Sequence, residues 1–412
     1  MVDDMPACAH EAAIRRLMEG PAYRTMLEVL QNEHERTVAD IVTLTEIPSP
    51  PFGEGARAEA YRAMLAAHGL EDVEMDVEGN VFGLRRGVGN GEVVVLAAHL
   101  DTVFPAGTDV RVRREGTRLH APGVGDDTRG LAVLLAWLRA MDAAGITTRA
   151  DIVVLGDVGE EGPGDLRGVR RFFRDSRYRD RVKAFVTVDG PDMGTLVTGG
   201  IASRRFRATF QGPGGHSLMD FGIVNPMHAL AQTVLELSRV TVPRTPRTTH
   251  AATVVSGGTS VNAIPNRAAL EVDLRSESME ELERLDRRFR AIVAEAVAAE
   301  NHARSTESGA VTVELTIIGD RPGGQGDRNG DLVRFTLGSL RAHGFAPELV
   351  TGSTDANIPL SLGIPAICVG SGGEGGRYHS LDEWIDVEPQ ASVRGMAAGL
   401  VTALAIAGVA GS

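Results

Sequence analysis

The sequence predicts an α/β fold: a catalytic domain on a central, mostly parallel sheet, interrupted by an inserted α+β domain. Three observations carry that expectation. The aliphatic runs EVVVLAA (Glu92–Ala98), DIVVLG (Asp151–Gly156) and AFVTV (Ala184–Val188) read as strands buried on both faces. Helical patterns separate them, the order of a parallel sheet with crossover helices. After about Ile201 the pattern turns to alternating strands, SRRFRATFQG first, which suit a sheet with one open face.

The elements follow in chain order. A helix is predicted over residues 24–47, ending at the Pro48–Pro51 cluster, and a second over Gly55–His68. Short strands follow near Val73–Val77 and Asn80–Arg86. Helices at Leu131–Ala144 and Arg167–Arg174 separate the buried strands. The second block holds a helix near Asn225–Val240, strands near Ala251–Ser256 and Ala268–Arg275, a long amphipathic helix at Met279–Ala303 and a last strand at Val311–Ile318. The α/β pattern then returns with a helix at Leu332–His343, the strand Ala366–Val369, the Gly-rich SGGEGG and a terminal helix at Pro389–Ala407. The domains are therefore 1–202 and 320–412 for the catalytic part and 203–319 for the insertion.

At 412 residues the chain exceeds what one core usually holds. A net charge of −13 and the lack of a basic run speak against nucleic acid or anionic lipid as partners. No run of ~18 apolar residues suggests a membrane span. The first residues lack the basic and apolar regions of a secretory signal, so the cytoplasm is the expected location. Cys8 and Cys368 read as two unpaired thiols.

Chemistry-bearing residues gather behind the buried strands, where open α/β sheets place their ligands. His99 and Asp101 follow the first run. Asp126 and Asp127 open the next helix. Glu160 and Glu161 follow the second run, Asp189 the third, and His379 lies in the late segment Tyr378–Glu383. Imidazole with carboxylate and no thiolate suits zinc, cobalt or manganese. So many carboxylates repel one another unless cations lie between them. Two ions about 3.5–4 Å apart, bridged by a carboxylate and a water, answer that need. A nearby carboxylate can then move the water's proton to a leaving amine.

His99-x-Asp101, Gly-Asp126-Asp127, Glu160-Glu161, Asp189, Gly-Gly-His216-Ser217 and His379-Ser380 occur in the order of a known family. From about residue 25 onward the chain resembles the co-catalytic dizinc metallopeptidases. These include glutamate carboxypeptidase, aminotripeptidase, aminoacylase and the succinyl-diaminopimelate and acetylornithine deacylases. The resemblance implies that His99 and Asp189 hold one ion, Glu161 and His379 the other, and that Asp126 bridges them beside a cis peptide to Asp127. It implies Glu160 as general base, Asp101 as the group orienting His99, and His216 as the group polarising the scissile carbonyl. In many such enzymes this last residue reaches across from a partner subunit, which implies a homodimer through the inserted domain. Asn262 and Arg275 match positions that hold a substrate carboxylate, and Arg377 is a further candidate contact. The expected cofactor is two divalent ions, Zn2+ or else Co2+ or Mn2+.

The leading expectation is an exopeptidase on small peptides, tripeptidase- or carboxypeptidase-like; DDTRG and STDAN lean that way by analogy. An N-acyl-amino-acid deacylase uses the same chemistry. A metal-free binding protein of the same fold would lack a ligand or Glu160, and every one of those positions is occupied. Asp127 reads equally as a helix cap. The stretch Thr351–Asn357 reads as a loop near the crevice or an Asx-type cap.

Overall fold

The structure is a computed structural model and describes residues 9–89 and 91–411. Cys8 lies outside the described residues; Cys368 is buried as a free thiol.

Two compact units emerge. One runs to Gly200 and resumes at Gln325; the other is Ile201–Gly324. The first unit carries a nine-stranded mixed sheet. Its centre is four parallel strands in the order Asp151–Asp157, Val93–His99, Val182–Val188, Ala366–Val369. Val81–Arg85 flanks them antiparallel on one side, with Glu71–Met75 antiparallel to it at the edge, and Thr195–Gly200 flanks them antiparallel on the other. Every residue of Val93–His99 and of Asp151–Asp157 is buried, because helices cover both faces. Thr128–Ala143 and Pro389–Ala407 share one hydrophobic cluster; Arg167–Asp175 belongs to the cluster on the other face. Trp137 shows how tight the join is: its Nε1 donates to the Met396 carbonyl.

The helix Pro389–Ala407 is long and apolar enough to cross a membrane, which the sequence reading passed over. In this unit 78% of its apolar window is buried, the pattern of a core helix.

The second unit is a four-stranded antiparallel sheet in the order Thr248–Gly257, Arg267–Ser276, Ala202–Gln211, Thr312–Arg321. The helices Pro226–Ser238 and Met279–Ala303 bury its inner face around Phe206, Phe210 and Phe289.

Two differences from the sequence reading stand out. Ala9–Glu19 is a helix, and the stretch predicted as one helix over 24–47 is two, Pro21–Asn32 and His34–Thr45. The chain leaves helical geometry at Glu33, whose carboxylate pairs with Arg36 and Arg139. Apolar spacing persists on both sides of that residue, so periodicity does not reveal the break.

Candidate metal centre

Each predicted ligand leaves a buried strand or a short turn at the carboxyl edge of the first unit's sheet. His99 ends its strand and is 1% exposed. Its Nε2 is 2.9 Å from Asp126 Oδ1 and 4.0 Å from Asp189 Oδ1. The other oxygen of Asp126 is 3.1 Å from His379 Nε2, which is itself 2.9 Å from Glu161 Oε1. One ligand atom each of His99, Asp126 and Glu161 lies within 4.8 Å of the others. The Asp126–Asp127 peptide is cis.

Asp127 also comes within that distance of His99 and Asp189. Its oxygens, however, accept backbone N–H groups, Oδ1 from Gly130 and Oδ2 from His99. It is the cap of Thr128–Ala143, and a side chain at position 130 would collide with it.

Two carboxylates anchor the ligand loops. Asp101, fully buried, accepts from the backbone N–H of Gly159 and Glu160 at Oδ1 and of Glu161 at Oδ2, at 2.8–3.0 Å. Its role therefore differs in detail from the one the resemblance implies. The His99 Nδ1 bonds the Asp101 main-chain carbonyl at 3.1 Å, while the carboxylate stands 3.7 Å away. Asp101 fixes the strand exit with its backbone and the Glu160–Glu161 loop with its side chain. Gly159 is needed there: its φ is +74°, and an added Cβ would strike the Arg167 guanidinium.

The second anchor, Glu383, escaped sequence reasoning. It is fully buried and accepts from the backbone N–H of Gly123, Gly125 and Asp126. Arg57, also missed, is fully buried and donates to the carbonyls of Thr45, Ile47 and Leu100, bracing the same strand exit. A third feature is the pair Asp157–Asp355. Both carboxyls are buried, neither has a hydrogen-bond donor on any of its oxygens among the described residues, and each perturbs the other's protonation. Asp355 is thus no helix cap; in its loop the Asn357 side chain takes the Thr354 N–H. Nothing in the local sequence distinguishes Glu383 or Arg57 from surface charges, whereas Asp157 follows a buried aliphatic run and Asp355 lies in the loop expected near the crevice.

The electrostatics reflect crowding of like charge. Burial, then the neighbouring Asp126, pushes the Asp189 carboxyl up to about 7. Burial alone would raise Asp126 too, but its bonds to His379 and His99 outweigh that and hold it below the usual range. Bonds to Asp126 and Glu161 lift His379 to about 10. Burial pulls His99 down, yet Asp126 and its acidic neighbours leave it well above an ordinary imidazole. The donor set, two imidazoles and three carboxylates without sulfur, fits divalent zinc, cobalt or manganese. Cations among these groups would offset the repulsion from Asp126 that adds to burial in raising Asp189.

Arg377 is exposed, two residues before His379, and pairs with Asp382 at 3.3 Å. His216, Asn262 and Arg275 belong to the second unit. There His216 and Asn262 lie on neighbouring segments, with Ser217 N–H bonded to the Asn262 carbonyl. Arg275 donates through Nε to Asp273. A cavity of about 900 Å³ in the first unit lies elsewhere, beside Lys183, Ala184 and Ala366 at the amino ends of their strands.

Residues 95–404 match the profile of peptidase family M20/M25/M40. The chain belongs to that family. A family member of this kind is a hydrolase of peptide or amide bonds, and this one has a residue cluster able to hold metal. The M20 chain is 26% identical over 317 residues to carboxypeptidase G2 of Pseudomonas sp. (strain RS-16), covering 75% of this chain and 72% of that one. Its fold matches aminopeptidase PepT of Bacillus cereus with a TM-score of 0.71 at 21% identity, covering 90% and 99% of the two chains. It also matches a dinuclear metal-binding M20 peptidase of Bacillus subtilis, with a TM-score of 0.64 at 18% identity over 91% and 99%.

Proposed function

We propose that this M20 hydrolase is an exopeptidase on small peptides, tripeptidase- or carboxypeptidase-like, working with two divalent ions, Zn2+ first. One observation carries the reading. The Asp126 carboxylate contacts His99 with one oxygen and His379 with the other, and His379 also contacts Glu161. In this reading His99 and Asp189 hold one ion, Glu161 and His379 the second, and Asp126 both. The ions, when bound, would supply Lewis acidity and lower the pKa of a water at the site.

The chain's own groups do the rest. Glu160, tied by its backbone to Asp101 beside Glu161, takes the water's proton and returns it to the leaving amine. His216 polarises the scissile carbonyl. Its Nδ1 accepts the N–H groups of Leu218 and Met219, which leaves the ring proton on Nε2 as the donor. Asn262, Arg275 and Arg377 hold the substrate's carboxylate; the Asp273 bond fixes the plane of the Arg275 fork.

The second unit acts as lid and dimerisation domain in this proposal. What supports a homodimer is an open sheet edge: Thr248–Gly257 has one strand neighbour, with Val254 and Val255 about half exposed. The partner is a small peptide in the cytoplasm, with no role for nucleic acid or membrane.

The test is a substrate screen of the metal-loaded protein with free tripeptides, C-terminally blocked peptides and N-acyl amino acids. Cleavage of free tripeptides, or release of a C-terminal residue, supports the reading. Turnover confined to N-acyl amino acids makes the chain a deacylase instead.

A further inference from the structure

We propose that Glu383 is a positioning residue that locks the His379 turn to the Asp126 loop and thereby forms the second ion's site. The inference rests on the ligand assignment above and concerns a residue that assignment does not use.

The geometry is a three-point clamp. Glu383 Oε1 accepts from Gly125 N–H at 2.8 Å and from Asp126 N–H at 3.0 Å, and Oε2 from Gly123 N–H at 2.9 Å. Its own main chain completes the seam. Its carbonyl takes the Ala121 N–H at 3.2 Å, and its N–H reaches back to the Ser380 carbonyl. The Asp126 loop and the His379 turn, more than 250 positions apart, are therefore joined by one buried side chain. A carboxylate suits the place because both oxygens only accept; glutamine would turn an NH2 group against one of these donors.

The turn needs that support. Arg377 and His379 both sit in the left-handed region, at φ +63° and +61°, which non-glycine residues hold only when their surroundings impose it. The His379 side chain is more than half exposed, so packing does little to hold the imidazole in place. On the other side of the seam, Gly125 has no room for a side chain. An added Cβ would lie 2.8 Å from Ile385 Cγ2 and 3.2 Å from Tyr378 Cε1.

The two ion sites depend on the clamp unequally. The site of His99, Asp189 and Asp126 draws one ligand from the clamped segments. The site of Glu161, His379 and Asp126 draws two, one from each side of the seam. Loss of Glu383 should therefore weaken the second site selectively.

The experiment is a titration of the metal-free full-length protein with Co2+. It is read by calorimetry and visible absorption and paired with thermal melts of the metal-free forms. Wild type should take two equivalents. Glu383→Ala should keep the tighter equivalent within about threefold and lose roughly 10–100-fold in affinity for the other, the range typical of groups that orient ligands. Glu383→Gln should recover part of that loss. Gly125→Ala, which displaces the same loop and leaves the carboxylate in place, should repeat the selective loss and stands in if Glu383→Ala does not fold. Two unaltered equivalents in these variants would overturn the inference. So would an equal weakening of both sites that tracks a fall in melting temperature. A wild type that binds no metal would instead bring down the ligand assignment, and the inference with it.

Discussion

His379 and Asp126 meet at 3.1 Å across 253 positions of sequence. The same carboxylate touches His99 at 2.9 Å. One short side chain thus receives an imidazole from a buried strand end and another from an exposed turn. Asp126 has little freedom to choose between them, because its backbone N–H is held by Glu383 and its neighbour Asp127 caps a core helix. Loops that would drift independently are pinned by buried carboxylates to the edge of one sheet.

Asp126 should therefore be the costliest ligand to lose. Asp126→Ala removes the shared group from both proposed sites and leaves two histidines facing a gap. The variant is expected to emerge from gel filtration with well under one ion per chain and no measurable hydrolysis. Metal analysis by mass spectrometry checks this. Retention of about two ions would remove Asp126 from the bridging role.

Glu160 should behave in the opposite way. Its side chain is proposed to move a proton and not to ligate, so Glu160→Gln should keep about two ions. Turnover should drop on the order of 10²–10⁴-fold, the usual contribution of a general base. Parallel metal analysis and steady-state kinetics on one preparation decide it. Loss of metal together with activity would move Glu160 into the ligand set.

The parts of this site that were legible in the sequence share a cause. His99, Asp126, Glu161 and Asp189 each follow an aliphatic run or open a helix. Burial on both faces makes such runs conspicuous, and the chain's topology puts their ends on one edge. Met279–Ala303, Ala366–Val369 and Pro389–Ala407 were legible, with approximate ends for the two helices, for the same reason of strong periodicity or continuous apolarity. What was hidden depends on partners far away in the chain. Glu383 and Arg57 look like ordinary charges until the fold buries them, and the positions of Asp157 and Asp355 do not show that the two meet. Asp101 was visible as a residue, but not its bonds to three N–H groups sixty positions on. The break at Glu33 was hidden because apolar spacing runs through it.

His216 should separate binding from catalysis. If its Nε2 acts on the carbonyl oxygen as charge develops, His216→Ala should lower kcat far more than it raises KM, because the contact strengthens in the transition state. If the residue serves the site of a partner subunit, mixing this variant with Glu160→Gln after subunit exchange should restore activity that neither has alone. A dominant rise in KM would assign His216 to substrate affinity. No recovery on mixing, with exchange demonstrated, would place its action within one chain.

The Asp157–Asp355 pair predicts a pH dependence of stability in the metal-free protein. Burial pushes Asp157 up to about 6, and burial with the charge of Asp157 raises Asp355 further above the carboxylate range. An acid whose native pKa is raised holds its proton in the folded state while the unfolded chain releases it. Stability is then lost as pH climbs from the unfolded value near 4 towards the native one. For one retained proton the slope is at most about 1.4 kcal/mol per pH unit. Asp355→Asn removes that proton and still offers an amide donor to Asp157. The variant, stripped of metal by chelation, should therefore gain stability over wild type as pH rises from about 5 to 8. The gap should close as pH falls to about 4. Denaturant melts at intervals across this range measure the gap, and a gap that stays constant or widens toward acid would show that the pair carries no bound proton at neutral pH.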